Sequence, residues 1–456
     1  MYFKRIIDEY LQEWARKKEH KPLLVRGARQ VGKSSAVRFL GKSFKTFLEI
    51  NFEKQPEYKA IFHQNLIVDR IVSQISAMSG TKIEMGKTLL FFDEIQECPE
   101  AIMSLRFFKE DLPELHVIAA GSLLEFALQE IPTFGVGRIH SIFMHPMTFD
   151  EFLTANGQNL LLQEKQTASQ EKPLSEPLHI KLVELFRTYM LVGGMPEVVS
   201  KWVSTHNFLQ CQEIQDDILV SYEDDFSKYK KKTDPTLMRL TFRGLVSQIT
   251  KKFVYSQISS EYKTEKIKSA LELLILAGLA IPVTRTGANG IPLGSEADKS
   301  CQKMLLLDSG LALRLLNMET GDISEITRQI LTGNPVDLVN KGQLAEMIAG
   351  LEYMRYLSPN LRHELYYWVR QERNSQAEID YVTAKNGHVL PIEIKAETQG
   401  GMKSLWLFMR EKKLQNALRC SLENFGEYDF VDKDYNTTRH VKVFPLYAIR
   451  EMVSSL

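Results

Sequence analysis

Eight residues near the start of the chain have the spacing of a phosphate-binding loop. The motif GxxxxGK[ST] is filled by Gly27, Ala28, Arg29, Gln30, Val31, Gly32, Lys33 and Ser34. It follows an apolar run and opens a helical pattern at Ser35, so backbone N–H groups and a helix N-terminus would face an anion. In such loops the lysine binds the β- and γ-phosphates and the following hydroxyl ligates Mg²⁺. The pattern predicts ATP and Mg²⁺ binding by Gly27 to Ser35, with Lys33 taking part in catalysis; a glycine-rich turn without a ligand is the alternative.

A pair of acids makes that alternative less attractive. The apolar run from Leu89 to Phe92 leads into Asp93 and Glu94 at the end of a predicted buried strand. Two adjacent carboxylates at this position can divide the work of hydrolysis. We expect Asp93 to hold the Mg²⁺ shell and Glu94 to orient and deprotonate the attacking water.

Two further polar residues are placed where they could complete this chemistry. Ser122 follows the next predicted strand, at the point where a polar side chain senses the γ-phosphate in ATPases with an additional strand. Arg138, after Gly135 and Gly137, is a candidate to neutralise charge in the transition state, within the chain or across a contact between copies. The alternatives are a turn serine and an ordinary surface arginine.

A second set of charged residues lies near the C-terminus. In the strand pattern from Leu390 to Lys395, Glu393 and Lys395 share one face, and Asp380 lies on the preceding strand. This arrangement predicts a phosphodiesterase site, with Mg²⁺ or Mn²⁺ on Asp380 and Glu393, and Lys395 steadying the hydroxide or the charged phosphorane. The alternative is a surface cluster of ion pairs on a half-exposed hairpin.

The patterns around these residues predict three regions. Short apolar runs alternate with helical stretches from Leu23 to about Phe152, which predicts a parallel sheet with helices on both faces. Residues 155–177 have the composition of an exposed loop. Helices and then a two-stranded hairpin around residues 279–307 favour a winged helix-turn-helix. The predicted domains are an ATPase domain at 1–205, a winged-helix connector at 206–334 and an α/β domain at 335–456.

Composition limits the partners that the chain can have. The 456 residues include 57 basic and 57 acidic residues, so contact with DNA would need a local patch such as Lys228 to Lys232, for which a solvated helix face is the alternative. The four cysteines show neither a zinc spacing nor a CxxC pair, which predicts free thiols in a reducing cytoplasm. We find no pattern of an export signal or a membrane anchor.

Together the motifs resemble a widespread prokaryotic family of AAA+-type ATPases. The resemblance rests on Gly27 to Ser34, Leu90 to Gln96, Ala120 to Phe126, Val136 to Arg138 and His145 to Phe152. It implies a P-loop sheet of the additional-strand type, a winged-helix segment and a C-terminal restriction-endonuclease-like domain of the PD-(D/E)xK class. In that domain Glu346 matches the acidic helix position that completes the metal shell, and Glu378 is a weaker candidate.

These expectations lead to one main functional hypothesis and one alternative; a third, a helicase or translocase, has less support because the sequence shows no ring-specific element. The main hypothesis is an ATPase coupled to a metal-dependent, nuclease-like domain that acts on or binds DNA. The alternative is a nucleotide-dependent switch whose C-terminal domain binds DNA or a protein without cutting. Self-association is expected if Arg138 acts between copies.

Overall fold

The computed structural model describes residues 2–131, 137–229, 232–317, 341–372, 375–396, 401–432 and 437–456. The chain divides into two compact units. The first runs to Met147 and includes the short segments Leu276–Gly278 and Ser358–Arg362. The second holds the rest of the chain. The two predicted domain boundaries, after residues 205 and 334, are a finer division that stays a prediction, and the second lies outside the described residues.

The first unit is built on a five-stranded parallel sheet with the order β2-β3-β4-β1-β5. Its strands are β1 (Leu23–Arg26), β2 (Thr46–Asn51), β3 (Thr88–Asp93), β4 (His116–Ala120) and β5 (His140–Phe143). Strand β4 lies between β1 and β3, so the predicted additional strand is present. The carboxyl ends of these strands meet at one edge, which brings the loops after β1, β3 and β4 together.

The helices of the first unit cover this sheet. They are α1 (Ile7–Arg16), α2 (Lys33–Gly41), α3 (Lys59–Gln64), α4 (Val68–Ser79), α5 (Pro99–Asp111) and α6 (Leu124–Glu130). All residues of β3 and β4 are buried, because both faces of a parallel sheet are covered. The continuous apolar runs in the sequence follow from this burial.

The second unit begins with a helical region. Its helices are α7 (Phe149–Ala155), α8 (Asn159–Thr167), α9 (Glu176–Val192), α10 (Pro196–Thr205), α11 (Phe208–Asp225), α12 (Pro235–Ser247) and α13 (Thr264–Leu276). The predicted exposed loop at 155–177 is wrong in part, since α8 occupies its middle. Lys165 on α8 is fully buried, and its Nζ lies 2.9 Å from a carboxylate oxygen of Asp150 and 2.7 Å from one of Glu451. The polar composition of this segment therefore does not reveal that its helix is packed against other elements.

A mixed sheet of eight strands forms the other part of the second unit, in the order β12-β13-β11-β10-β9-β8-β6-β7. Its strands are β6 (Ala280–Thr286), β7 (Ala297–Leu306), β8 (Leu365–Glu372), β9 (Ser375–Lys385), β10 (His388–Ile394), β11 (Asn416–Ser421), β12 (Gly426–Asp432) and β13 (Thr437–Pro445). The helices that accompany it are α14 (Ser309–Asn317), α15 (Lys341–Tyr356), α16 (Lys403–Glu411) and α17 (Ile449–Ser454).

The predicted hairpin is present as the antiparallel pair β6–β7, but it does not stand apart from the C-terminal strands. Strand β6 pairs in parallel with β8 through Val283 and Leu365, so the hairpin extends the C-terminal sheet. The apolar pattern of the sequence identifies strands without their partners, because a strand's neighbours depend on distant segments.

Membrane insertion has no candidate segment in the part of the chain that the structure describes. None of the helices there combines the length and the apolar character that crossing a bilayer requires.

Candidate functional site

The phosphate-binding loop joins β1 to α2 and depends on glycine at its first position. Gly27 has a φ of 138°, and a Cβ atom there would lie 2.1 Å from the carbonyl oxygen of Met144. Gly32 has a φ of 98° directly before the first residue of α2. The loop therefore takes a backbone path that ordinary side chains disfavour. The N-terminus of α2 opens onto it, which suits an anion.

The remaining predicted residues of the loop differ in their exposure. Ala28 and Val31 are buried, Arg29 is half-buried, and Gln30 and Ser35 are exposed. Gln30 has a positive φ of 64°, which belongs to the same tight turn. The loop is thus anchored by its apolar residues.

Lys33 lies inside the loop on the first turn of α2. Its Nζ donates to the carbonyl oxygens of Gly27 at 2.9 Å and Ala28 at 2.7 Å. Burial lowers the pKa of Lys33 to about 8, against the opposing effect of Glu94 and Asp93. A phosphate chain would supply the counter-charge that favours the ammonium form.

Ser34 and Asp93, the two residues predicted to bind Mg²⁺, are in direct contact. The Ser34 hydroxyl donates to Oδ1 of Asp93 at 2.8 Å, and the Asn51 side-chain amide donates to Oδ2 at 3.1 Å. Burial raises the pKa of Asp93, with hydrogen bonds from Ser34 and Asn51 opposing the shift. A hydroxyl and a carboxylate oxygen at this spacing fit Mg²⁺, which prefers oxygen ligands and keeps several waters.

Glu94 has the most constrained geometry of the predicted catalytic residues. Its backbone is left-handed, with a φ of 49°. Its Oε2 accepts hydrogen bonds from the Gln96 amide at 2.7 Å, the Ser122 N–H at 3.0 Å and the Ser122 hydroxyl at 2.9 Å. Burial would raise the pKa of Glu94, but these donors hold it below its ordinary value. The carboxylate is therefore ionised at neutral pH, as a general base requires.

Arg138 lies apart from this group. Its Nε forms an ion pair with Glu110 near the end of α5, and its side chain is half exposed. The structure thus brings together Lys33, Ser34, Asp93, Glu94 and Ser122, and it places Arg138 elsewhere on the same unit.

The C-terminal acids form a cluster inside the second unit. Glu346 comes from α15, and Glu378 and Asp380 come from β9; one carboxylate oxygen of each lies within 4.8 Å of the other two. Glu378 thus belongs to the cluster, although it was the weaker candidate by sequence. Burial and the charge of nearby Asp380 raise the pKa of Glu346, and the ammonium of Lys303 opposes this shift.

A lysine that the sequence patterns did not single out lies among these acids. Lys303 on β7 is 1% exposed, and its Nζ donates to Glu346 at 2.7 Å and also contacts Glu378. Burial disfavours its charged form, but Glu346, Glu378 and Asp380 raise the pKa of Lys303 above its usual value. A local sequence signal was missing, because Lys303 lies in a strand pattern some forty residues before Glu346.

Glu393 and Lys395 pair with each other at the end of β10. The Lys395 Nζ donates to Oε1 of Glu393 at 2.6 Å. Asp380 accepts from the Ile394 N–H at 2.7 Å, which fixes its carboxylate beside the same strand. Burial and the charge of Asp380 raise the pKa of Glu393 to about 7. The predicted acids and Lys395 therefore lie in one region, but they form two pairings. Glu346 and Glu378 contact Lys303, whereas Glu393 contacts Lys395.

The basic stretch proposed for DNA contact is only partly described, since residues 230 and 231 lie outside the described ranges. Lys228 pairs with Asp225 at 2.8 Å, and Arg243 pairs with Glu223 at 2.8 Å. Arg239 also lies 3.9 Å from Glu223. The acids of α11 therefore offset the positive charge of Lys228, Arg239 and Arg243.

Comparison with protein-family models divides the chain into three matched segments. Residues 19–153 match a family described as an AAA domain. Residues 183–322 and 341–449 match two domains of unknown function, DUF8612 and DUF4143. The first segment contains the loop, both acids and Ser122. It is a P-loop ATPase-like domain, and that part of the predicted resemblance is confirmed.

Distant similarities exist among solved structures. The Walker-type ATPase PABY2304 of Pyrococcus abyssi is 16% identical, with a TM-score of 0.44 over 69% of this chain and 96% of that one. PCH-2 of C. elegans is 10% identical, with a TM-score of 0.28 over 45% of this chain and 64% of that one. Unliganded Pif1 of a Bacteroides species is 14% identical, with a TM-score of 0.20 over 40% and 49%. No curated protein sequence matches the chain.

Proposed function

We propose that the P-loop ATPase-like domain binds ATP with Mg²⁺ and hydrolyses it. The observation that carries this proposal is the geometry of Glu94, an ionised carboxylate fixed by Ser122 beside the loop that holds Lys33. Ser34 and Asp93 would hold Mg²⁺, which neutralises charge on the phosphates. Glu94 would then take a proton from the attacking water, and Lys33 would stabilise the γ-phosphate.

The test compares ATP turnover by wild type, Glu94→Gln and Glu114→Gln. Glu114 is an exposed acid of the same unit, so its substitution controls for loss of charge. We expect Glu94→Gln to retain ATP binding and to lower kcat by at least about 100-fold, in the range of a positioned general base. Equal turnover by all three proteins would contradict the proposal.

Arg138 is proposed to act between copies of the chain. Its ion pair with Glu110 and its exposure support a residue that serves a neighbouring site. Mixing Arg138→Ala with Lys33→Ala tests this, because each protein would supply what the other lacks. Activity in the mixture above the sum of the separate proteins is expected; an Arg138→Ala protein with full activity alone would exclude the role.

For the C-terminal region we propose a restriction-endonuclease-like domain that engages DNA, linked through a winged-helix segment at 206–334. Asp380 and Glu393 lie on adjacent antiparallel strands, whose register pairs Ile392 with Tyr381. The Oε2 atom of Glu393 is buried and has no hydrogen-bond partner among the described residues, which suits a ligand oxygen for Mg²⁺ or Mn²⁺. Lys395 would stabilise charge on the scissile phosphate.

A nucleotide-dependent switch that binds DNA or protein without cutting is the second candidate. The pairing of the acids with Lys303 and Lys395 favours it, because cations already offset much of the negative charge. Degradation of single- and double-stranded DNA with Mn²⁺, with and without ATP, separates the two. Cutting that is lost in Lys395→Ala supports the nuclease, and DNA binding without cutting supports the switch.

A further inference from the structure

The acid cluster of the second unit, formed by Glu346, Glu378 and Asp380, already contains a cation of the chain itself. Lys303 Nζ lies 2.7 Å from an oxygen of Glu346 and also contacts Glu378. An ion such as Mg²⁺ bound by the same oxygens would lie about 2.0–2.1 Å from each. An ammonium group and a divalent ion cannot both occupy that space.

The surroundings of Lys303 are built for a cation. Its Nζ lies 4.9 Å from the centroid of the Tyr367 ring, whose face attracts positive charge. Its side chain is 1% exposed, so water contributes little to its solvation. Such burial is tolerated because the carboxylates and the aromatic face replace the lost water. The ammonium is therefore an integral part of the cluster.

A divalent ion would nevertheless be attracted to this region. Among the described residues, four carboxyl groups, those of Glu346, Glu378, Asp380 and Glu393, outnumber the cations near them, which are Lys303, Lys395 and Arg419. One oxygen of Glu393, which is 4% exposed, has no hydrogen-bond partner in the described part of the chain. The oxygens suit a hard cation, and the position between Glu346, Glu378 and Asp380 is blocked by the lysine.

We propose that Lys303 is an internal cation that occupies the metal position of the acid cluster, so that Mg²⁺ or Mn²⁺ binds there only when the lysine leaves. The inference concerns regulation of the proposed C-terminal site and rests on that proposal for its biological meaning. Lys303 lies on β7, outside the segment that supplies the acids. A movement of the β6–β7 hairpin that withdrew the lysine would therefore open this position to a metal ion.

Mn²⁺ binding measured by electron paramagnetic resonance and calorimetry, without nucleotide, tests the inference independently of cleavage. The variants are Lys303→Ala, which vacates the position, and Lys303→Arg, which keeps the charge. We expect Lys303→Ala to gain one Mn²⁺ site at least ten-fold tighter than any in wild type or Lys303→Arg. Adding Asp380→Asn should abolish the new site.

Two results would overturn the inference. One is a wild-type Mn²⁺ site that is lost in Glu378→Gln, a substitution within the cluster, and is as tight as the site in Lys303→Ala. The other is folded Lys303→Ala that gains no Mn²⁺. If Lys303→Ala does not fold because the acids repel one another, Lys303→Ala with Glu346→Gln reduces that repulsion, and its melting temperature should rise with Mn²⁺. DNA cleavage that is absent from every protein would count against the nuclease proposal alone.

Discussion

The hydroxyl and the backbone N–H of Ser122 both donate to one oxygen of Glu94, at 2.9 and 3.0 Å. This double contact joins the loop after β4 to the end of β3. Among the described residues the other carboxylate oxygen of Glu94 accepts no hydrogen bond, and the bonds from Gln96 and Ser122 lower the pKa of the acid despite burial. We therefore expect Ser122 to act as a positioning residue for the proposed general base.

Substitution of Ser122 by alanine should alter the pH dependence of ATP turnover. Hydrogen bonds to the ionised form lower the pKa of Glu94, so loss of the hydroxyl raises that pKa. The acid limb of the kcat profile should move to higher pH, and kcat near neutral pH should fall about ten-fold. Ser122→Thr should restore both. A lower kcat with an unmoved acid limb would argue against this role.

Gly27→Ala should weaken ATP binding by at least ten-fold. The added Cβ would meet the Met144 carbonyl oxygen, and the φ of 138° would be strained for alanine. Gly80→Ala is the matched control, because Gly80 also has a positive φ but no atom lies near its added Cβ. A fluorescent ATP analogue measures the affinity. Similar affinities for the two variants would show that the backbone path is not decisive.

Lys165→Met should destabilise the second unit by about 3–5 kcal/mol, the usual cost of removing one partner of a buried ion pair. The variant leaves Asp150 and Glu451 buried without the ammonium that lies between them. Denaturant unfolding measures the loss. Lys181→Met, which removes an exposed lysine near Glu184, should change the free energy of unfolding little. Equal effects of the two substitutions would contradict this account.

His20→Gln should make the stability of the first unit less sensitive to acid. His20 is 4% exposed, its ring lies 4.0 Å from that of His116, and burial lowers its pKa from 6.5 to about 4. The unfolded chain therefore binds a proton that the folded chain resists, so stability falls as the pH drops from about 6.5 towards 4.

Melting temperatures across this pH range test the effect of His20. On acidification the melting temperature of the wild type should fall further than that of His20→Gln. In a unit of this size each kcal/mol of unfolding free energy corresponds to about 2–4 °C. His63→Gln, which removes a mostly exposed histidine, should follow the wild type. A His20→Gln curve parallel to the wild-type curve would exclude His20 as the source.

Local sequence predicted much of the first unit because its chemistry lies in short contiguous motifs. The loop from Gly27 to Ser34 and the pair after β3 meet because parallel strands present their ends at one edge. To predict the contacts of Glu94 with Ser122, the order of the strands in the sheet must also be known. The buried helix around Lys165 escaped prediction because its partners Asp150 and Glu451 are separated in sequence.

The C-terminal site was predictable only in part for the same reason. Strand periodicity placed Asp380 and Glu393 near each other, and the resemblance added Glu346. The position of Lys303 follows from the pairing of β6 with β8, which brings a distant hairpin beside the acids. Charge composition alone cannot reveal such an arrangement, because each residue looks like an ordinary polar position in its own strand.

The parallel pairing of β6 with β8 also determines how the polypeptide can be divided. A fragment that starts at residue 335 would lack β6 and β7, and the backbone groups of β8 that pair with β6 would become an open sheet edge. Open edges recruit strands from other molecules, which leads to aggregation. The same fragment would lose Lys303, the ion-pair partner of Glu346 and Glu378. The C-terminal strands and the preceding hairpin belong to one sheet, so we expect them to fold together.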